Sequence, residues 1–65
     1  MRLIDQLEYN DRTLSLYREG DVYHYKVETQ SEEVELHLCE YFQDSYEAVM
    51  WFWAETEKYI RGHGR

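Results

Sequence analysis

Residues 33–39, Glu-Val-Glu-Leu-His-Leu-Cys, alternate polar and apolar side chains more regularly than any other part of the chain. A period of two is typical of a β-strand that buries one face and exposes the other. We therefore expect Val34, Leu36 and Leu38 to face a core, whereas the glutamates and His37 face away. An isolated strand is unstable, so the adjoining sequence should supply the rest of a sheet.

The preceding segment, residues 22–28, places Tyr23, Tyr25 and Val27 on one face of a second strand. A two-residue loop at Gln30-Ser31 would join the two strands and set their register. In that register, the apolar residues of one strand face apolar residues of the other. The predicted pairs are Val27 with Val34, Tyr25 with Leu36, Tyr23 with Leu38, Lys26 with Glu35, and His24 with His37.

Two further strands are expected earlier in the chain. Residues 13–17 alternate with a period of two, as a half-buried strand does. Residues 3–9 fit a helical turn about as well as a strand. We favour a strand because Asn10-Asp11 follows, and this dipeptide suits a tight hairpin turn. The predicted sheet is therefore a three- or four-stranded antiparallel β-meander.

The C-terminal third of the chain is predicted to be a single helix. Asp44 can accept hydrogen bonds from the first amide groups, and Glu47 stands three residues later as in a capping box. Gly62 favours an end near Arg61. We expect one small α+β domain over residues 1–61, with the helix packed across one face of the sheet, and a flexible tail over residues 62–65.

The range Val49–Trp53 places five bulky apolar residues in succession on this helix. At 100° per residue they extend most of the way round its axis, so one core does not need them all. Ala48, Phe52 and Tyr59 form one stripe, and Trp51 lies beyond it as the best candidate for an exposed aromatic side chain. The stripe expected to cover the sheet consists of Tyr46, Val49, Met50, Trp53 and Ile60.

The composition limits the classes of partner. The 65 residues include 7 basic and 14 acidic side chains, for a net charge of −7. This charge argues against direct binding to nucleic-acid phosphates or to anionic membranes, and it favours a protein partner with a basic surface. Cys39 is the single cysteine of the sequence. Because it has no partner for an internal disulfide, we expect a reducing, cytoplasmic location.

The leading functional hypothesis is a small acidic, non-enzymatic, protein-binding domain that inhibits or regulates a larger partner. That partner could itself bind nucleic acid, because carboxylates on a rigid sheet imitate phosphates. We also expect a homodimer, since a domain of this size is marginally stable alone. No catalytic residues and no cofactor are expected, because the sequence contains no nucleophile motif or phosphate-binding loop. The candidate partner-binding residues are Glu28, Glu32, Glu33, Glu35, Trp51, Phe52 and Tyr59.

A small metal-binding protein is the alternative from a different class. The predicted register places His24 opposite His37 on the solvent face, and Cys39 lies two residues from His37. Two imidazoles and a thiolate are ligands that suit zinc. The competing interpretation is a pair of ordinary surface histidines beside a free thiol.

Residues 41–49, Tyr-Phe-Gln-Asp-Ser-Tyr-Glu-Ala-Val, follow the predicted meander and open the helix. This arrangement resembles the HicB-like antitoxins, in which a sheet meander leads into a capped helix, and the resemblance rests on Asp44, Ser45, Glu47 and Ala48. It implies an antitoxin-like regulatory module, although the glycine- and proline-rich loop of that pattern is missing here. In size and charge the chain is also similar to the anti-CRISPR class of acidic inhibitors.

Overall fold

Four consecutive strands form one antiparallel sheet, and a single helix follows them. The computed structural model describes residues 1–63. Each strand pairs with the next along the chain, so the spatial order is β1-β2-β3-β4 and the edge strands are β1 and β4. The predicted α+β meander is confirmed, and residues 3–9 belong to a strand. The elements are β1 (Arg2–Tyr9), β2 (Arg12–Glu19), β3 (Val22–Thr29), β4 (Val34–Tyr41) and α1 (Ser45–His63).

The first two hairpins turn at residues that tolerate a left-handed backbone. Asn10 and Asp11 have φ angles of 47° and 63°, and they join Tyr9 to its partner Arg12. Two successive residues with positive φ make the tight turn whose twist matches that of the flanking strands. Gly20, with φ of 62°, turns the second hairpin. The predicted turn at Asn10-Asp11 is therefore confirmed.

The third hairpin departs from the predicted register by two residues. Glu32, at φ 64°, adds a third residue to the loop, so the Thr29 amide donates to the Glu33 carbonyl at 2.9 Å. Glu35 is then a bulge, because Val34 pairs with Glu28 while Leu36 pairs with Val27. Each irregularity shifts the pairing by one residue. The observed pairs include Val27 with Leu36, Tyr25 with Leu38, Lys26 with His37, and His24 with Cys39.

Together the two shifts return most of β4 to the predicted face of the sheet. Leu36 and Leu38 pack against the core as expected. Val34 lies between the two irregularities and therefore points to the opposite face, where it is 54% exposed. The prediction that Val34 belongs to the core is wrong, because a shift of one residue exchanges the faces of a strand.

The core lies between one face of the sheet and one side of α1. Its central residue is Tyr25, which has no exposed surface. The Tyr25 ring lies 5.2 Å from the Phe52 ring and 6.1 Å from the Trp51 ring, measured between centroids. Its hydroxyl group is 3.1 Å from that of Thr56, which is also buried. The buried apolar residues are Leu14, Leu16, Tyr23, Tyr25, Val27, Ala48, Phe52 and Tyr59.

These contacts give α1 a rotation that differs from the predicted one. The side that carries Ala48, Phe52 and Tyr59 faces the sheet. Tyr46, Met50 and Trp53, which were expected to cover the sheet, are 71%, 58% and 46% exposed. The prediction was wrong because it considered mainly the size of the apolar side chains. It did not consider that the small Ala48 lets the helix approach the sheet closely. It also did not consider that Thr56 hydrogen-bonds to the buried hydroxyl group of Tyr25.

Both ends of the helix can be compared with the prediction. The Asp44 carboxylate accepts a hydrogen bond of 2.9 Å from the Tyr46 amide, which confirms Asp44 as the cap. The helix continues to His63, two residues beyond the predicted end, so Gly62 takes a helical position. The last two residues of the predicted tail, Gly64 and Arg65, lie outside the described residues. Within residues 1–63, no helix is long and apolar enough to cross a membrane.

The rotation of α1 predicts a large loss of stability for one helix substitution and a small loss for another, two positions away. Phe52→Ala removes a completely buried ring and should lower the free energy of unfolding by roughly 3 to 5 kcal/mol. Met50→Ala changes an exposed side chain and should cost less than about 1 kcal/mol. Urea denaturation followed by circular dichroism measures both values. A larger cost for Met50→Ala than for Phe52→Ala would mean that the opposite side of the helix faces the sheet.

Candidate functional site

The rotation of α1 leaves a row of large apolar side chains facing away from the sheet. Tyr46, Met50 and Trp53 are spaced by four and three residues, which places them on one side of the helix over successive turns. All three are exposed. We call them the aromatic stripe. Exposed apolar side chains that form a continuous surface are a common mark of a protein-binding site.

A shallow groove adjoins the aromatic stripe at the edge of the sheet. It lies between β1 and α1 and encloses about 450 Å³. Because β1 is an edge strand, no further strand of the described residues covers this side of the helix. Leu7 and Ile60 are half-buried there. The residues that line the groove are Leu7, Trp53, Thr56, Glu57, Ile60 and Arg61.

Three of the predicted partner-binding carboxylates surround the β3–β4 turn. Glu32 and Glu33 are exposed and Glu28 is half-buried, and none of the three makes an ion pair within residues 1–63. Glu28 faces Val34 in the neighbouring strand, so it is not directly opposite another carboxylate in the β3–β4 ladder. We call Glu28, Glu32 and Glu33 the acidic turn. The side chains of Glu32 and Glu33 are open to solvent, and that of Glu28 is partly open.

The fourth predicted carboxylate, Glu35, has a structural role instead. A bulge redirects the side chain of its extra residue, and the Glu35 carboxylate reaches the helix side of the sheet. Arg12 Nε donates to its two oxygens at 2.8 and 3.0 Å. The Tyr59 hydroxyl group donates to Oε2 at 2.6 Å. The bulge therefore connects β4 to β2 and to the C-terminal half of the helix.

Tyr59 is the second predicted partner-binding residue that belongs to the scaffold. It is 7% exposed. Burial, followed by the hydrogen bond to the Glu35 carboxylate, raises the pKa of Tyr59 to about 12. Both causes favour the neutral phenol, because a phenolate would be poorly solvated and would face a negative charge. The contact is therefore a hydrogen bond of a neutral donor to a charged acceptor.

The other two aromatic predictions also need correction. Phe52 has no exposed surface, so the prediction that it contacts a partner is wrong. Trp51 is half-buried, with its ring 5.4 Å from that of Phe42 and 6.1 Å from that of Tyr25. It was expected to be the exposed aromatic residue of the helix, and Trp53 is considerably more open. The aromatic surface exists, but it is formed by other residues.

His24, His37 and Cys39 come together on the face of the sheet opposite the helix. His24 Nδ1 lies 3.1 Å from His37 Nε2 and 3.3 Å from Cys39 Sγ, and the remaining distance, from Sγ to His37 Nε2, is 3.6 Å. His24 and Cys39 are directly opposite in β3 and β4. The register differs from the predicted one, but the predicted group of residues is brought together.

Two charged side chains flank this cluster. Glu19 Oε1 lies 3.7 Å from His24 Nε2. Lys26 faces His37 across β3 and β4, and its ammonium group lies over the Tyr17 ring at 5.5 Å. Partial desolvation at the sheet surface, then the charges of Lys26 and His24, lower the pKa of His37. The cluster therefore has a carboxylate beside one imidazole and an ammonium group beside the other.

The aromatic stripe consists of residues that the sequence pattern predicts for the core. Tyr46, Met50, Trp53 and Ile60 follow a spacing of four, three and seven residues that indicates one side of a helix. This spacing shows that the four residues lie on the same side of the helix, but it does not show whether that side is buried. Leu7 was assigned only to a strand.

Comparison with protein-family models, with curated proteins and with solved structures finds no match to this chain.

The contact between Tyr59 and Glu35 predicts a loss of stability at high pH. The pKa of tyrosine is 10.0 in the unfolded chain and about 12 for Tyr59 in the folded one. The unfolded state therefore loses this proton first, and stability should fall as the pH rises from about 10 towards 12. Urea denaturation across this range measures the fall.

Tyr59→Phe tests whether this residue causes the effect. The variant should be less stable than the wild type near neutral pH, since it leaves the Glu35 carboxylate without one donor. Its stability should also decline less steeply above about pH 10, because one of the titrating groups is gone. An equal decline in the two proteins would contradict the assigned role of Tyr59.

Proposed function

We propose that this chain is a non-enzymatic protein-binding domain that regulates or inhibits a larger partner. The aromatic stripe and the adjoining groove would form the apolar part of its contact surface. The observation that carries this proposal is the exposure of Tyr46, Met50 and Trp53 along one side of the helix. Large aromatic side chains that lie next to a groove are typical anchors of protein interfaces.

The charge supports a partner with a basic surface. Acidic residues outnumber basic ones by 14 to 7. Tyr59, near the end of α1, contacts Glu35 of β4, so the C-terminal half of the helix and the acidic turn share one end of the molecule. Ile60 and Arg61 of the groove lie at that same end. A basic partner would be attracted by the acidic turn and would then bury the apolar groove.

A second copy of the chain fits this surface less well. Glu57 lies on the same side of the helix as the aromatic stripe, and two molecules of charge −7 repel each other. Arg61 pairs with Glu57 at 2.5 Å and offsets that one carboxylate, but the net charge of the chain remains −7. We therefore assign the groove to a different, basic protein. The predicted homodimer becomes an outcome that the experiment below can detect.

The acidic side chains indicate one chemical property of the partner, a basic surface. A protein that binds nucleic acid has the required basic surface, and the carboxylates of Glu28, Glu32 and Glu33 would occupy phosphate positions on it. This agrees with the antitoxin-like and anti-CRISPR-like resemblances. The single cysteine favours a reducing compartment, so we place the interaction in the cytoplasm.

Affinity capture with paired variants tests both parts of the surface. The immobilised chain is exposed to lysate of the cell that produces it, and retained proteins are quantified by mass spectrometry. Trp53→Ser should abolish retention of the partner by removing the apolar anchor, and the double variant Glu28→Gln/Glu33→Gln should weaken it. Retention should also fall as salt rises from about 50 to 500 mM, because the charges are exposed.

Two control variants separate the proposed surface from unspecific effects. Tyr41→Ser removes an aromatic residue of similar exposure from the opposite end of β4, and Glu40→Gln removes one exposed carboxylate there. Both should retain the partner. A partner lost equally with Tyr41→Ser would contradict the assignment. A dimer in sedimentation equilibrium that Trp53→Ser dissociates would assign the stripe to a second copy instead.

A further inference from the structure

Three metal-ligating atoms lie in a triangle on the open face of the sheet. The distances between His24 Nδ1, His37 Nε2 and Cys39 Sγ are 3.1, 3.3 and 3.6 Å. In a tetrahedral zinc site, two nitrogen ligands lie about 3.4 Å apart, and a nitrogen and a sulfur ligand about 3.6 Å apart. Each distance in the chain is therefore within about 0.3 Å of one edge of a zinc tetrahedron.

We propose that His24, His37 and Cys39 bind one Zn²⁺ ion per chain. A circle of about 1.9 Å radius passes through the three ligand atoms, so an ion at ordinary zinc distances sits just above their plane. Two imidazoles and a thiolate form a donor set that zinc prefers to harder cations such as Mg²⁺ or Ca²⁺. On binding, the thiol of Cys39 releases its proton to solvent.

The strands hold the ligands close to these positions without an ion. His24 lies in β3, which is flanked by β2 and β4, and its partner in the ladder is Cys39. His37 is two residues from Cys39 and therefore on the same face of β4. A site built on paired strands requires little ordering when the ion binds, which favours affinity.

A carboxylate stands where zinc sites usually have one. His24 Nε2, the nitrogen that points away from the triangle, is buried and has no hydrogen-bond partner within residues 1–63. Glu19 Oε1 lies 3.7 Å from it, and the Glu19 side chain is exposed enough to move closer. A hydrogen bond from Nε2 to this carboxylate would leave the lone pair of Nδ1 for the ion, as in carboxylate–histidine–zinc arrangements.

The fourth position of the proposed ion faces solvent. Helix α1 covers the opposite face of the sheet, and His37 and Cys39 are both exposed. We therefore assign this position to a water molecule. Lys26 opposes the ion by its charge, although its ammonium group is held over the Tyr17 ring. The site lies on an exposed surface rather than in a cleft, so we assign it no catalytic role.

Metal titration of the full chain tests the proposal. Protein freed of metal by a chelator and kept reduced is titrated with Zn²⁺, and with Co²⁺ as a spectroscopic probe. We expect one ion per chain, the absorption of tetrahedral Co²⁺ and a thiolate-to-cobalt charge-transfer band. Cys39→Ser should abolish that band, and His24→Gln or His37→Gln should lower the Zn²⁺ affinity at least tenfold.

A matched pair of glutamate variants tests the outer carboxylate. Glu19→Gln should weaken Zn²⁺ binding about tenfold. Glu40→Gln, on the helix side of β4, should leave the affinity unchanged. Equal affinities for the Glu19→Gln protein and the wild type would remove Glu19 from the site. Affinity that persists in Cys39→Ser and in both histidine variants would mean an adventitious ion only.

One measurement needs no variant and so does not depend on how a variant folds. Zn²⁺ should slow the alkylation of Cys39 in the wild-type protein at least tenfold, because a coordinated thiolate is shielded. An unchanged alkylation rate at saturating Zn²⁺ would overturn the proposal. One ion per two chains, together with dimerisation on adding Zn²⁺, would overturn the assignment of the fourth ligand to water.

Discussion

The burial of the Tyr25 hydroxyl group is the constraint on which the rest of this structure depends. A buried phenol needs a hydrogen-bond partner, and Thr56 supplies one at 3.1 Å. Because Thr56 must face Tyr25, the neighbouring Phe52 and the small Ala48 face the sheet as well. The rotation of the helix follows from this contact, and with it the exposure of Tyr46, Met50 and Trp53. The exposure of the aromatic stripe is therefore a consequence of how one polar atom in the core is satisfied.

Local patterns were sufficient to predict the elements of this fold but not all of their contacts. The strand indicated by the alternation in residues 33–39, the Asn10-Asp11 turn and the Asp44 cap each depend on neighbours in sequence. All three elements are confirmed, although Val34 lies on the opposite face of its strand. Register and helix rotation depend on contacts between distant residues. Glu32 adds one residue to the β3–β4 loop and Glu35 adds one residue to β4, and the sequence pattern predicts neither. The role of Thr56 depends on a tyrosine 31 positions away.

The candidate sites differ in how far the sequence could predict them. His24, His37 and Cys39 were grouped correctly although the register was wrong, because two shifts of one residue preserve the face of the sheet. The aromatic surface was assigned to the wrong residues. When apolar residues lie on several sides of a helix, their spacing does not determine which side faces the sheet. Glu35 was predicted to bind a partner with the residues of the acidic turn, but the bulge directs its side chain to the helix side of the sheet. In this chain, the predicted face of a strand therefore remained correct despite an error in register, whereas the predicted buried side of the helix did not.

Both edge strands carry a bulge, and this bears on how other chains can join the sheet. Ile4 is skipped in the pairing of β1 with β2, as Glu35 is in that of β4 with β3. A bulged edge bends and twists, so it offers a poor template for an incoming strand. Recognition by strand addition, in which a peptide extends the sheet, is therefore disfavoured at both sides of this molecule. The same irregularities oppose stacking into fibrils, which a short chain with four strands would otherwise invite.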